Sequence, residues 1–412
     1  MSVKQMVKKI LPDKIIIILK EFLTALNNRR MIHKKQRISA FDKDKYPYGV
    51  NLIGDIRAET GLGQSMRIIA RMLKQCGIPF VIIQIDSPGK LEQNNHEWDG
   101  KITDKAKYGI NLIHINPSIW MQMYIELDED ILNYRYNIAY WLWELEEFPD
   151  KWLPCIETVN EIWTPSHFIS NSIAKKTKKM VSTVPYDIEM KQDSFYNRDY
   201  FALPEEKFFF LVMYDLLSVS ERKNPQGVIK AFKEAFSVNE KEVGLLIKVN
   251  HSGNHELEIL KNDLHGYDNI YIIDRNLSRK EIESLIKDSD VLVSLHRCEG
   301  FGLPMAEAMY LGTPVIATNW SANTEFMDQN SACLVDYKLV EVQKDIGPYK
   351  KGSFWADADI SQASRYMRKL AYDRKFYREI QENGQNMIRS EHGIKSMKAK
   401  IAGIYGDDLI ST

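Results

Sequence analysis

Between His296 and Asn319 the chain reads HRCEGFGLPMAEAMYLGTPVIATN, which sets Glu299 and Glu307 eight positions apart around a glycine-rich turn. Two carboxylates so placed suit a glycosidase pair, a metal site or a pair of hydroxyl binders for a sugar. The glycines between them discriminate. Gly300 and Gly302 leave backbone N–H groups accessible to an anionic group held between the acids, and each ionised carboxylate accepts hydrogen bonds from hydroxyls on either side. Ribose, diphosphate and hexose in sequence fit such a cradle. Pro304 suits the first turn of a helix and Gly312 its end, so Glu307 falls on the first turn, where the helix dipole favours its charge.

Two further loops have the right composition. In SERKNPQGVIKAF, residues 220–232, Arg222 and Lys223 approach a helix, where a guanidinium fork and a point-charge ammonium neutralise a diphosphate or are simply solvated. Lys248, at the end of the next strand, is placed to converge on the same point. In DIRAETGLGQSM, residues 55–66, Gly61 and Gly63 permit a tight turn before a helix. A dinucleotide fingerprint needs a third glycine where Met66 stands, which leaves an ordinary glycine turn or one that lets a substrate approach the backbone.

These loops need strands and helices to hold them. The pattern is strand, helix, strand from GVNLIGD through SMRIIARMLKQCG to IPFVIIQID, with further short strands at 109–115, 136–142 and 161–164. After a polar stretch at 191–207 it restarts with KFFFLVMYD, GLLIKVN, NIYIID, VLVSL and PVIAT. The expectation is two successive α/β halves joined near residue 200, ligands binding beyond the carboxyl ends of the strands. At 412 residues the chain suits two domains; 44% apolar and 27% charged residues are ordinary for a globular protein, and a formal charge of -1 carries no nucleic-acid signature.

Four scattered cysteines without metal spacing predict reduced thiols and a cytoplasmic setting, and no apolar run nears the roughly 20 residues that span a bilayer. The first forty residues differ from the rest: ten Lys or Arg against two acids, a local balance of +8, interleaved with Ile15 to Leu19, Phe22, Leu23 and Leu26. Two readings stay open for this extension, an anionic membrane surface bound peripherally or a helix that packs on a domain.

The segment HRCEGFGLPMAEAMYLGTPVIATNWSANTEFM resembles the Glu-x7-Glu region of retaining family 4 glycosyltransferases. The resemblance runs over residues 49–375 through ETGLGQS, WELEEFPDKW, EIWTPSHFIS, ERKNPQGVIKAF and SFWADADISQASRYM. It implies a GT-B fold, two Rossmann-like domains facing a central cleft. The expected organisation is a basic extension (1–45), an acceptor domain (46–200), a nucleotide-sugar domain (201–375) and a helical tail (376–412) that packs back on the first domain. By the family pattern Glu299 contacts donor-sugar hydroxyls and Glu307 the ribose. Lys223 aligns with the diphosphate-binding lysine, the backbone of Gly300, Phe301, Gly302 and Leu303 lies near diphosphate and sugar, and the Gly61 to Gly63 loop approaches from the other domain.

The chain departs from the pattern twice. Ser218 stands where many members carry an arginine, with Arg222 the expected replacement; Trp143 and Glu144 stand where many carry a histidine, which makes Glu144 a candidate contact for acceptor or donor sugar. His114 is an alternative strand-end polar group, with a buried, satisfied role as the other reading. The resemblance implies retaining, metal-independent transfer of a hexose of mannose or glucose type from a nucleoside diphosphate sugar, a co-substrate rather than a cofactor, to a bacterial surface glycan or lipid-linked glycan. The rivals are glycogen- or sucrose-synthase-like transfer to a soluble acceptor, a glycosidase using Glu299 and Glu307, and a non-catalytic scaffold. Asp128/Asp130 and Asp357/Asp359 resemble a metal-binding DxD but belong to no convincing site.

Overall fold

The structure is a computed structural model that describes residues 13–86, 92–190, 195–216, 219–250, 254–389 and 392–405. Alternation of short apolar runs with amphipathic helices produces two parallel sheets of six strands each. The first joins β1 (Val50–Gly54), β2 (Phe80–Gln84), β3 (Ile110–His114), β4 (Tyr136–Tyr140), β5 (Glu161–Thr164) and β6 (Val181–Thr183) in the order β2-β1-β3-β4-β5-β6. The second joins β7 (Phe208–Asp215), β8 (Val243–Asn250), β9 (Ile270–Ile273), β10 (Val291–Ser294), β11 (Val315–Thr318) and β12 (Cys333–Val335) in the order β12-β11-β10-β7-β8-β9. Both sheets are covered by helices on each face, so their strands are continuous apolar runs rather than alternating ones. The α/β expectation holds for both halves.

Strand order reverses between β7 and β10 in the second sheet. At such a switch point the flanking crossovers leave to opposite faces and open a crevice beyond the carboxyl ends. The loops that leave β7 and β10 there carry Arg222, Lys223 and Glu299.

Two elements differ from the sequence expectation. The helix expected from residue 65 begins at Gly61, because the Thr60 hydroxyl accepts from Gly63 N at 3.2 Å and caps the extra turn. Between β12 and the helix Ile360–Tyr372 lies an unexpected antiparallel hairpin of β13 (Tyr337–Glu341) and β14 (Phe354–Ala358). The extension forms a helix, Asp13–Arg37, whose last turns pack on the first domain. There Met31 is buried, Lys34 donates to Ile125 O and Leu127 O, and Arg37 donates to Glu129. The packing reading thus describes residues 31–37, while the lysines before residue 13 lie outside the described residues. No helix among the described residues is long and apolar enough to cross a membrane.

Register in the first sheet is fixed by a row of buried amides. Asn51, Asn111 and Asn137 are paired neighbours on β1, β3 and β4. Asn51 Nδ2 donates to Asn111 Oδ1 at 2.9 Å, and Asn111 Nδ2 to Asn137 Oδ1 at 2.7 Å. A slip by one residue would leave these groups unpaired in an apolar layer, a cost that makes the pairing specific. Substituting Asn111→Leu strips Asn137 Oδ1 of its donor, and we expect a loss of about 2 kcal/mol in stability by urea denaturation.

Candidate active site

The site is assembled by two loops that meet where β7 and β10 lie side by side. A short helical turn, Ser220–Lys223, carries the two cations and ends at Asn224, which adopts φ +52, a left-handed conformation that asparagine tolerates well. From there Asn224 Oδ1 accepts from Gly227 N at 3.1 Å and caps the next helix, while Nδ2 donates to Leu295 O at 2.9 Å. The turn is thereby pinned to the strand that leads into Glu299. On the other side Ser321 sits at φ +74, unusual for a residue with a side chain, and its hydroxyl accepts from Glu299 N at 2.9 Å.

Glu299 is 7% exposed. Its Oε1 faces Arg222 Nη1 at 2.9 Å and accepts from Lys223 Nζ. Arg222 also donates to Cys298 O at 3.0 Å and is buried. Burial alone would raise the Glu299 carboxyl, but Arg222 and then Lys223 outweigh it and hold it at about 2. Burial opposes the charge on Arg222 in the same way, and Glu299 overcomes it, so the guanidinium titrates above its ordinary range. Beside this triad the amides of Gly300, Phe301 and Gly302 donate to no other group among the described residues. Gly302 at φ +99 then opens the helix Leu303–Leu311.

Glu307, on that helix, is 3% exposed and paired with Arg279, Oε1 lying 2.7 Å from Nη2. Arg279 also reaches Glu283 at 2.8 Å. Lys248 does not join Glu299: its ammonium donates to Val249 O and Asn250 Oδ1, and burial lowers it to about 8 despite Asp215 nearby. Phe301 is used as packing, edge to face with Tyr186 and stacked on Phe326. Gly63 is required by its neighbour, since a Cβ there would lie 2.0 Å from Ala58 O, whereas Gly61 is exposed and meets nothing.

The carboxyl ends of the two sheets face each other. Ser166, after β5, donates to Gly300 O at 2.8 Å; Asn276, after β9, donates to Glu92 at 2.6 Å; and Glu325 accepts from the His167 and Phe168 amides at 2.8 and 2.7 Å. Glu144, after β4, accepts from the Tyr349 hydroxyl at 3.2 Å. Tyr349 is carried by the turn of the hairpin and is buried against Trp143. His114 has the satisfied role: burial holds it neutral, with its titration lowered to about 4, and its Nε2 is 2.6 Å from Ser65 Oγ.

The paired aspartates serve the backbone and surface. Asp128 accepts from Asp130 N, Asp359 caps the helix Ile360–Tyr372, and Asp357 pairs with Arg297 at 2.9 Å. The four cysteines are free thiols. Ser218 lies outside the described residues. Sequence reasoning missed Arg279, Ser321 and Tyr349. SRKE at 278–281 does carry a helix-start signal, but the hairpin that brings in Tyr349 shows only as an irregular stretch after β12.

Two facing Rossmann-like sheets with the site at their carboxyl ends define a GT-B architecture. Residues 197–387, somewhat under half of the chain, match the model of the family described as Glycosyl transferases group 1. Solved structures agree on the fold. A Staphylococcus aureus TarM variant in complex with fondaparinux, alpha-GlcNAc-glycerol and UDP is similar at 12% identity and TM-score 0.53, covering 72% of this chain and 55% of its own. This chain therefore spans about half the length of that protein. HepE of Anabaena, in complex with UDP and glucose, is similar at 11% identity and TM-score 0.59 over 87% of this chain and 99% of its own. Sucrose-phosphate synthase from Thermosynechococcus elongatus is similar at 12% identity and TM-score 0.59 over 87% of this chain and 98% of its own. Comparison by sequence with characterised proteins gave no match.

The Glu299 pairing has a pH signature. Its folded carboxyl, at about 2, lies below an unfolded value near 4.5, so its stabilisation is fully present above about pH 4.5 and is lost as pH falls toward 2. In Glu299→Gln that part of the acid dependence disappears. Urea midpoints at pH 6 and pH 3 should differ less in the variant than in the wild type.

Proposed function

We propose that this protein is a retaining glycosyltransferase that moves a hexose, of mannose or glucose type, from a nucleoside diphosphate sugar to a hydroxyl of a bacterial surface polysaccharide or lipid-linked glycan. The observation that carries the reading is Glu299, held ionised by Arg222 and Lys223 beside the open amides of Gly300 to Gly302. A carboxylate at about 2 cannot donate a proton at neutral pH, and its lone pairs already face cations, which disfavours an acid role for Glu299 in hydrolysis. The same carboxylate is well suited to accept hydrogen bonds from sugar hydroxyls.

In this reading the protein acts by position and charge. Donor binding turns Lys223 from Glu299 toward the diphosphate. Arg222 keeps Glu299 paired while Lys223 and the loop amides stabilise the charge that departs with the nucleotide. These groups meet the leaving-group charge without calling on a metal ion. The acceptor hydroxyl attacks from the leaving-group face and passes its proton to a phosphate oxygen. Glu144, fixed by Tyr349 on the opposite domain, binds a sugar hydroxyl there. The two neighbours solved with UDP, HepE with glucose and the TarM variant with alpha-GlcNAc-glycerol, support a nucleotide-sugar reading. The likeness to sucrose-phosphate synthase favours transfer to a soluble acceptor as the second reading. The basic extension supports a peripheral site on an anionic membrane surface.

Lys223→Ala leaves Arg222 in place to neutralise Glu299, so the fold should survive within about 1 kcal/mol while transfer falls about 100-fold or more. Release of nucleoside diphosphate from a panel of nucleotide sugars, with glycolipid and soluble acceptors in separate arms, measures both. Wild-type turnover in the variant would sink the assignment. Replacing Lys4, Lys8 and Lys9 by Glu should weaken sedimentation with vesicles containing phosphatidylglycerol and leave transfer to a soluble acceptor intact; unchanged sedimentation would remove the membrane reading.

A further inference from the structure

The turn that carries Arg222 and Lys223 has two sides. Those cations face Glu299, whereas Ser220, Glu221 and Asn224 border a separate cavity of about 400 Å³ beyond the carboxyl end of β7. Its volume lies within the roughly 300–1,000 Å³ of small-molecule sites. Leu260 and Ile360 give it an apolar wall, and Ile259, 47% exposed, stands at its rim. Gln226 and Lys230 border it from the helix Pro225–Ala235 and are exposed, so it opens to solvent.

The polar groups of this cavity are not used by the fold. The Tyr214 hydroxyl, the Gln226 side-chain amide and the Lys230 ammonium make no hydrogen bond or ion pair among the described residues. Among those residues the Glu221 carboxylate is met by the Ser220 hydroxyl alone, at 3.3 Å. The wall is nonetheless fixed before any ligand arrives. Arg297 N donates to Arg222 O at 2.7 Å, its Nη1 donates to Glu221 O at 3.0 Å, and its Nη2 pairs with Asp357 at 2.9 Å. Such preorganisation lowers the cost of binding.

The lining selects a class of ligand. A phosphate would lie against Glu221 as well as Lys230, and an ammonium against Lys230 as well as Glu221, so neither sign of charge suits it. A hydroxyl serves both, because it accepts from the ammonium and donates to the carboxylate. Several hydroxyls at the edge of a ring with a C–H face match polar groups set around an apolar wall. We propose that this cavity is a second carbohydrate-binding site, which holds one hexose unit of a glycan outside the cleft between the domains. Ring hydroxyls accept from Lys230 and Gln226 and donate to Glu221, while the C–H face rests on Ile259 and Ile360. The glycan on either side of that unit leaves through the mouth that faces solvent. A chain held there keeps its end near the transfer site between turnovers, which raises its effective concentration. The binding argument does not rest on the transfer reading, although this use of the site does.

Ligand-observed NMR titration of the full chain with disaccharides of glucose, mannose, galactose and N-acetylglucosamine tests the proposal. At least one should bind the wild type. Tyr214→Phe, Gln226→Met and Lys230→Met combined keep the shape of the cavity but strip its free polar groups, and should weaken that binding about 10-fold or more. Should this triple variant fail to fold, Lys230→Met alone, at an exposed helix position, should weaken it about 3-fold or more. Lys223→Ala should leave it unchanged. Binding that survives undiminished in a folded cavity variant, or that is lost in Lys223→Ala instead, puts the sugar in the cleft and overturns the proposal, as does a wild type that binds none of the panel. Release of nucleoside diphosphate by the same proteins keeps the two readings apart. Cavity variants that lose the disaccharide but still turn over a nucleotide sugar support the second site, whereas a wild type that binds sugar in the cavity yet turns over no nucleotide sugar overturns the transfer reading alone.

Discussion

A buried carboxylate between two cations is the constraint around which the second domain is arranged. Glu299 cannot stay ionised at 7% exposure without a partner, and the partners come from a loop 76 positions earlier in the chain. Breaking such a pair leaves an uncompensated charge in an apolar setting, which costs about 3–5 kcal/mol. The backbone therefore accepts smaller penalties to keep the groups together: left-handed conformations at Asn224 and Ser321, and a positive φ at Gly302. Asn224 directly follows Lys223 and Ser321 accepts from Glu299 N, and both are tied down by the bonds already described. Local strain of this kind persists where surrounding contacts over-determine it.

Closure of the cleft follows from the same arrangement. Gly300 has no side chain because a Cβ would lie 2.9 Å from Trp143 O, so the loop that holds Glu299 is also the surface on which the first domain rests. Ser166 binds Gly300 O, and the hairpin of β13 and β14 sends Val342, Tyr349 and Trp355 into the apolar cluster of the first domain. Through Glu325 the second domain supplies the carboxylate that satisfies the open amides of the helix His167–Ala174, where the dipole favours negative charge. The two domains thus share polar and apolar contacts on both sides of Glu299, and a residue such as Glu144 is positioned by a tyrosine belonging to the other half of the chain.

Much of the fold was legible because parallel strands buried on both faces are written as short apolar runs bounded by glycine, and those runs are local. VLVSL, PVIAT and GLLIKVN fall on β10, β11 and β8 with end shifts of one residue. That Arg222, Lys223 and Glu299 lie in loops beyond strand ends followed from the rule that such loops form the site; their direct pairing did not. What was not legible depends on partners distant in sequence. Lys248 reads as a site lysine, yet its ammonium is held by its own strand end, since the strand's carboxyl-terminal carbonyl and Asn250 are nearer than any ligand loop. The hairpin strands mix exposed, half-buried and buried positions without regular alternation and with charged residues interspersed, a weak pattern beside the apolar parallel strands. Arg279 stands at a helix start where nothing nearby in sequence marks a partner; its half-buried pairing comes from the approach of Glu307 on another helix.

The two glutamates that frame the glycine loop are thus unequal in a way that spacing alone could not show. Glu299 meets one fixed cation and one flexible one, so a ligand bearing negative charge can draw Lys223 away and leave the carboxylate still neutralised by Arg222. Glu307 meets a single arginine whose fork is clamped by Glu283, so it has no mobile cation. The glycine loop between them, whose amides donate to no other group among the described residues, separates the pair that holds a flexible cation from the pair that does not.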